Sequence, residues 1–249
     1  MRIKCIACEV LLREIGLAVA DSPHTVDLVF TPKDAHDYSD QLRDAVQREI
    51  DAIEEDPAAF DAVVLGYGLC GNGLVGIEAR SLPLVLPRAH DCCTLFLGSK
   101  MKFEEHFRAN PSQPFSAAGY LERSDSVFHV DGQVGDSARQ WEQLVEQYGE
   151  DNARYVWETL HPNYGSHQDR VVFIDIPETT PRQALEACRM QAEKEQKKFQ
   201  VLMGSPRLLR ALLHGQWDDE EFLRVEPGQR IDGVYDWSEI VRAVGGTKC

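Results

Sequence analysis

The sequence predicts an α/β protein: a mostly parallel sheet with helices on both faces, Rossmann-like and three-layered, carrying a helical insertion. Three observations predict it. Short apolar runs alternate with helical patterns along most of the chain, the signature of β-α-β units. Residues 61–66 include the unbroken apolar run Ala62-Val63-Val64-Leu65, as a strand covered on both faces requires. Residues 39–55 place Leu42, Val46, Ile50 and Ile53 at steps of three and four with charges between them, an amphipathic helix.

The remaining elements follow in order. Residues 2–7 read as the first strand, with Cys8 and Glu9 at its end. A helix is expected over 10–15, with Leu11, Leu12 and Ile15 on one face, then a strand over 25–30. After the strand at 61–66 comes a fourth at 82–86. Residues 112–168 are polar and rich in aromatics, with helices expected near 137–148 and 151–160. We read them as a helical insertion in a single domain spanning 1–249. Beyond it the alternation resumes with strands at 171–176 and 200–203. Thr180-Pro181 and Ser205-Pro206 are each expected to open a helix, with the hydroxyl as cap and proline at the first helical position. Leu208, Leu209, Leu212 and Leu213 form the apolar face of the second of these helices, and Gly215 is placed to end it. A last strand at 222–225 precedes the turn Pro227-Gly228.

Composition narrows the function. Against 26 basic residues stand 41 acidic ones, a net charge of −15, which disfavours nucleic acid and anionic membrane as partners. No stretch reaches the roughly 20 apolar residues of a membrane span, and the first residues lack a signal peptide's apolar segment, so a cytoplasmic protein is expected. In that reducing compartment the seven cysteines are not a disulfide framework.

The expected chemistry lies beyond the carboxyl ends of the strands, where open α/β sheets bind ligands. Strand one ends at Cys8-Glu9, strand three at Tyr67-Gly68-Leu69-Cys70, and strand four runs into His90-Asp91-Cys92-Cys93. In the strand order 2-1-3-4 these three ends are neighbours. Cysteine and histidine converging there suit zinc or another thiophilic metal, with iron or an iron–sulfur cluster as the variant. The same residues also fit inert buried cysteines, or thiols that react themselves. Glu9 and Asp91 are the acid–base candidates. Cys5 forms a C-x-x-C with Cys8, but residues three apart on a strand face opposite ways, so Cys5 is expected in the core. Cys188 is expected in the core beside Leu185 and Ala192, and Cys249 is terminal. Either Cys92 or Cys93 can face such a site, and spacing does not choose between them.

Gly66-Tyr67-Gly68-Leu69-Cys70-Gly71 also satisfies G-x-G-x-x-G formally. Gly68, Gly71 and Asn72 would then line a nucleotide or anion cradle, with Asp91 as the acidic residue about 20 positions on. The competing reading is a sharp strand-to-helix turn that glycine permits.

The motifs I-A-C-E-V-L, Y-G-L-C-G-N-G-L, P-R-A-H-D-C with its following L-G-S, Y-G-E-D-N-A, and the closing G-x-W-x-D-x-x-F-L-x-x-x-P-G together resemble the domain-of-unknown-function family numbered 1638. The resemblance covers nearly the whole chain. It implies Cys8, Cys70, His90 and Cys92 as the metal ligands and favours Cys92 over Cys93, which is itself a departure from the family pattern. Members occur mostly in anaerobic prokaryotes, often beside corrinoid-dependent methyl-transfer systems. The resemblance therefore implies a metal-binding enzyme or accessory factor in one-carbon transfer, acting on a small molecule or on a corrinoid methyl-transfer protein. Thiol redox or iron–sulfur handling by the same cysteines, and anion or nucleotide binding at the glycine turn, are the alternatives.

Overall fold

The computed structural model describes residues 1–33, 35, 39–109, 113–123, 145, 150, 170–234 and 236–245. Its central sheet is mostly parallel and built by the N-terminal alternation. Strands β1 (Arg2–Cys8), β2 (Thr25–Thr31), β3 (Ala62–Gly66) and β4 (Leu84–Pro87) are joined at one edge by β8 (Phe222–Val225), in the order β2-β1-β3-β4-β8. The register puts Ile6 beside Val29 and Leu65, and Val64 beside Val85; only β8 runs antiparallel, with Leu223 beside Leu86. All five residues of β3 are buried, as its unbroken apolar run requires.

Helix α2 (Ser39–Ile53) buries the four residues that its periodicity selects: Leu42, Val46, Ile50 and Ile53. The helix after β1 departs from expectation. A 3-10 turn (Glu9–Leu11) comes first, and α1 (Leu12–Ala20) follows; Ile15 and Ala18 are buried, whereas Leu12 is exposed. The turn rotates the helix face, so a pattern begun at residue 10 assigns Leu12 to the wrong side. After β4 come α3 (Cys92–Leu97) and α4 (Lys100–Phe107), capped by Asp91 and Ser99.

The later strands do not extend the central sheet. Strand β5 (Phe115–Ala117) pairs with β6 (Arg170–Asp175), which pairs with β7 (Lys198–Met203), in a second, wholly parallel sheet. Periodicity identifies a strand but not its partner, and a three-residue strand such as β5 is too short to register a period. Between β5 and β6 lies α5 (Ala118–Arg123); the helices expected near 137–148 and 151–160 lie outside the described residues apart from Val145. Strands β9 (Gln229–Gly233) and β10 (Val241–Gly245) form an antiparallel pair that the sequence pattern does not announce.

Helix α6 (Arg182–Lys194) starts with Pro181 at its cap position, not with Thr180. The Thr180 hydroxyl instead accepts the Ile176 N–H at 2.9 Å, closing the loop after β6. Ser205 behaves more as expected. Its hydroxyl accepts the Arg207 N–H at 3.3 Å at the start of α7 (Arg207–Leu213), whose four leucines are all buried. Gly215 follows in the left-handed region, at φ +71°.

The carboxyl ends of the two parallel sheets abut. The turn after β1 packs on α5 so closely that a Cβ on Gly119 would overlap the Val10 carbonyl. Arg13 pairs with Glu122, and Arg123 lies 3.5 Å from Glu9. Beyond β7, Ser205 N–H donates to the Phe96 carbonyl at 3.0 Å. Glu14, buried at this seam, accepts a hydrogen bond from the Thr179 hydroxyl at 2.5 Å, while its other oxygen has no partner among the described residues.

Burial pushes the Glu14 carboxyl above its ordinary range, against the pull of Thr179. The folded chain therefore holds this proton at pH values where the unfolded chain has lost it. The contribution is full below the unfolded value, about 4.3, and is lost as pH rises through the folded one. Glu14→Gln keeps the acceptor for Thr179 and carries no charge. Denaturant melts across this range should show stability falling with pH more steeply in the wild type than in Glu14→Gln. Parallel curves would refute it.

Candidate functional site

Strands β1, β3 and β4 lie side by side, so the loops that leave them share one edge of the sheet. Two backbone hydrogen bonds continue the pairing past the strands: Leu69 N–H donates to the Ala89 carbonyl at 2.8 Å, and Cys70 N–H to the His90 carbonyl at 2.9 Å. Gly68 makes this approach possible. A Cβ there would sit 2.5 Å from the Asp91 nitrogen, closer than a side chain tolerates.

The chain then turns sharply through the left-handed region. Cys70, Gly71 and Asn72 have φ of +48°, +59° and +69°. For Cys70, which is not glycine, this conformation costs about 1–2 kcal/mol. Backbone strain of this kind collects where a side chain must be aimed. The turn swings the chain away from the sheet and leaves Cys70 at its edge. No α-helix follows β3. The turn leads instead to residues 77–79, where Ile77 and Ala79 bond to Ile231 and Gln229. The expected strand-to-helix turn is thus replaced by a left-handed turn, and Gly68, Gly71 and Asn72 face no helix N-terminus of the kind a dinucleotide fingerprint supplies.

Three thiols meet at this edge. Cys92, at the start of α3, lies beside Cys70 and Cys8, near enough for both to act on its thiol. Interaction with Cys70, then with Cys8, and then burial push the Cys92 thiol well above its ordinary range. Cys8 and Cys92 are buried, while Cys70 is partly exposed, so the cluster opens to solvent on the Cys70 side. Tyr67 completes the group. Its hydroxyl lies 2.5 Å from the Thr31 hydroxyl, and burial, then the nearby Cys8, hold it well above the usual phenol range. Cys70 and Cys92 also act on it. Among the described residues, no set of three or more His, Cys, Asp or Glu side chains stands ready as the coordination shell of a metal ion.

The other expected site residues are placed differently. The His90 ring packs on Phe103 and Trp237, with centroids 5.4 and 5.1 Å away, although its carbonyl bonds Cys70. Burial lowers its pKa, and Nε2 has no hydrogen-bond partner among the described residues. The Asp91 carboxylate caps α3 by accepting the Thr94 N–H at 3.2 Å. Glu9 accepts the Lys33 N–H at 2.7 Å and faces Arg123. Both carboxylates proposed for acid–base work thus hold the fold around the cluster. Cys5 is fully buried in the core, its thiol pushed up to about 12 by burial. Cys188 is buried with Val171, Phe173 and Ala192 and is likewise raised to about 12. Cys93 is fully buried, and Cys249 lies outside the described residues.

A family model described as "Protein of unknown function (DUF1638)" matches residues 30–213. The chain belongs to the DUF1638 family. The match contains Thr31, Tyr67, Cys70 and Cys92, while Cys8 precedes it. No curated protein and no solved structure matches the chain. No helix among the described residues is long and apolar enough to cross a membrane. Tyr67 and Thr31 are the site residues that the sequence reading missed. A phenol at the end of a wholly apolar buried strand was the available signal, because such a hydroxyl needs a partner.

Proposed function

We propose that this DUF1638 chain binds a thiophilic metal, most simply zinc, through Cys8, Cys70 and Cys92, and that an open fourth position serves a small-molecule thiol. The observation that carries the reading is that Cys70 and Cys8 both lie near enough to act on the Cys92 thiol. Three cysteines from three separate strand ends share one small volume. Each thiolate formed there raises the cost of the next, and a bound dication reverses that cost for all three. Thiolate is the form that binds such a metal, so loading the site would release protons.

His90 is left out of this ligand set because its ring packs on Phe103 and Trp237. Three protein ligands are the number that catalytic zinc sites use, and the metal supplies Lewis acidity at the remaining position. Cys70, the partly exposed member, marks the side from which a substrate enters. Tyr67, anchored on Thr31, is the hydroxyl available to orient a bound group. The reaction assigned is activation of a thiol for one-carbon transfer, which rests on the family resemblance and on the affinity of thiolate for such a metal. A cytoplasmic location and a Rossmann-like arrangement with helices on both faces belong to the same reading.

Metal analysis of anaerobically purified protein tests it. One zinc per chain is the expected result. Iron with visible absorption would replace zinc by a cluster. A chain that neither carries nor takes up a thiophilic metal would refute the proposal.

A further inference from the structure

The cluster also has the arrangement of a thiol pair that can be oxidised, and we propose that Cys70 and Cys92 form a reversible disulfide when a peroxide reaches the partly exposed Cys70. The metal reading underlies only one consequence, that oxidation releases the metal; the disulfide itself stands without it. Three observations converge. Cys70 is the partly exposed thiol of the three, so a small oxidant meets it first. Gly68 packs against Asp91 and the Cys70 N–H bonds the His90 carbonyl, which sets Cys92 beside Cys70, near enough for the two thiols to interact. The backbone bonds from Leu69 to Ala89 and from Cys70 to His90 hold the two loops together, so the pair stays within reach.

The chemistry balances with hydrogen peroxide as the oxidant. The Cys70 thiolate attacks one peroxide oxygen, the O–O bond breaks, and Cys70 becomes a sulfenic acid while the leaving hydroxide takes up a proton as water. The Cys92 sulfur then attacks the Cys70 sulfur, the S–O bond breaks, and the departing hydroxide takes the Cys92 proton as a second water. Two thiols and one peroxide yield one disulfide and two waters. A reduced dithiol returns two electrons and two protons and restores the pair. In the oxidised state Cys8 alone keeps a thiol in the cluster, and one thiolate does not retain a metal that three held.

Stoichiometric hydrogen peroxide is added to full-length protein, zinc-loaded and metal-free in parallel. Peptide mass mapping under non-reducing conditions follows the cysteines, and a chromophoric chelator follows zinc. The expected result is a Cys70–Cys92 disulfide in both samples, release of one zinc per chain from the loaded one, and reversal of both by dithiothreitol. Cys8→Ser should still form the disulfide. Cys92→Ser should stop at a Cys70 sulfenic acid that dimedone traps. A disulfide joining any other pair, or Cys70 driven to sulfinic acid with Cys92 still free, would overturn the proposal. Failure of zinc to load, with the disulfide formed in metal-free protein, sinks the metal reading alone.

Discussion

Cys92→Ser should lower zinc affinity by about 1000-fold. Zinc bound by folded cysteine sites is held with an apparent free energy of about 10–16 kcal/mol. Removing one of three thiolates forfeits roughly a third of that, about 4 kcal/mol, or three orders of magnitude. Cys92 is the sharpest choice of the three because both of the others act directly on its thiol. Serine preserves its size and the first turn of α3, so the fold is retained and the measurement reads the site. Competition with a chromophoric chelator gives the affinity, and far-ultraviolet circular dichroism checks the fold. Cys188→Ser is the control: that thiol lies in the core of the second sheet with Val171 and Phe173, and zinc affinity should not change. Equal affinity in wild type and Cys92→Ser would remove Cys92 from the ligand set.

Gly119→Ala should be the most destabilising single methyl added to the described chain. Its Cβ would overlap the Val10 carbonyl oxygen and crowd the Val10 carbon, both of them backbone atoms that cannot rotate away. Helix α5 and the 3-10 turn after β1 must separate, which also loosens Arg13–Glu122 and Arg123–Glu9 at the seam. Overpacking with forced backbone movement costs about 3–5 kcal/mol. For a chain of this size that is a fall in Tm of roughly 10 °C. Gly16→Ala offers the contrast: it sits exposed in α1 with nothing within 4 Å of the added methyl. There alanine should stabilise by about 0.5–1 kcal/mol, through helix propensity. Thermal melts of the two variants should move in opposite directions. Similar shifts in both would show that the close approach of α5 to Val10 does not limit stability.

Much of the central sheet was legible because its signals are local. The unbroken apolar run of β3, the three-and-four spacing in α2 and the leucines of α7 each specify burial within a few residues of sequence. The order 2-1-3-4, common among open parallel sheets, was assumed for these strands and is the order observed. The second sheet was not legible. Strands β6 and β7 read as strands, but their partner β5 has three residues and no measurable period. The start of α1 failed for another reason: a 3-10 turn shifts the helical phase, and residue types alone do not reveal it.

The candidate site divides along the same line. The sequence by itself determined that Cys8, Cys70 and the Cys92-Cys93 pair stand at or just beyond the carboxyl ends of strands, because strand length and loop position are encoded locally. Only the tertiary structure decided that Cys92 lies beside both Cys70 and Cys8, that the His90 ring packs on Phe103 and Trp237, and that Asp91 caps α3. Those outcomes depend on the left-handed turn at Cys70, on the close approach of Gly68 to Asp91, and on Trp237 arriving from a distant part of the chain. A side chain's direction is set by the backbone dihedrals beneath it and by the neighbours that fill the space around it. Neither is written in the spacing of residue types.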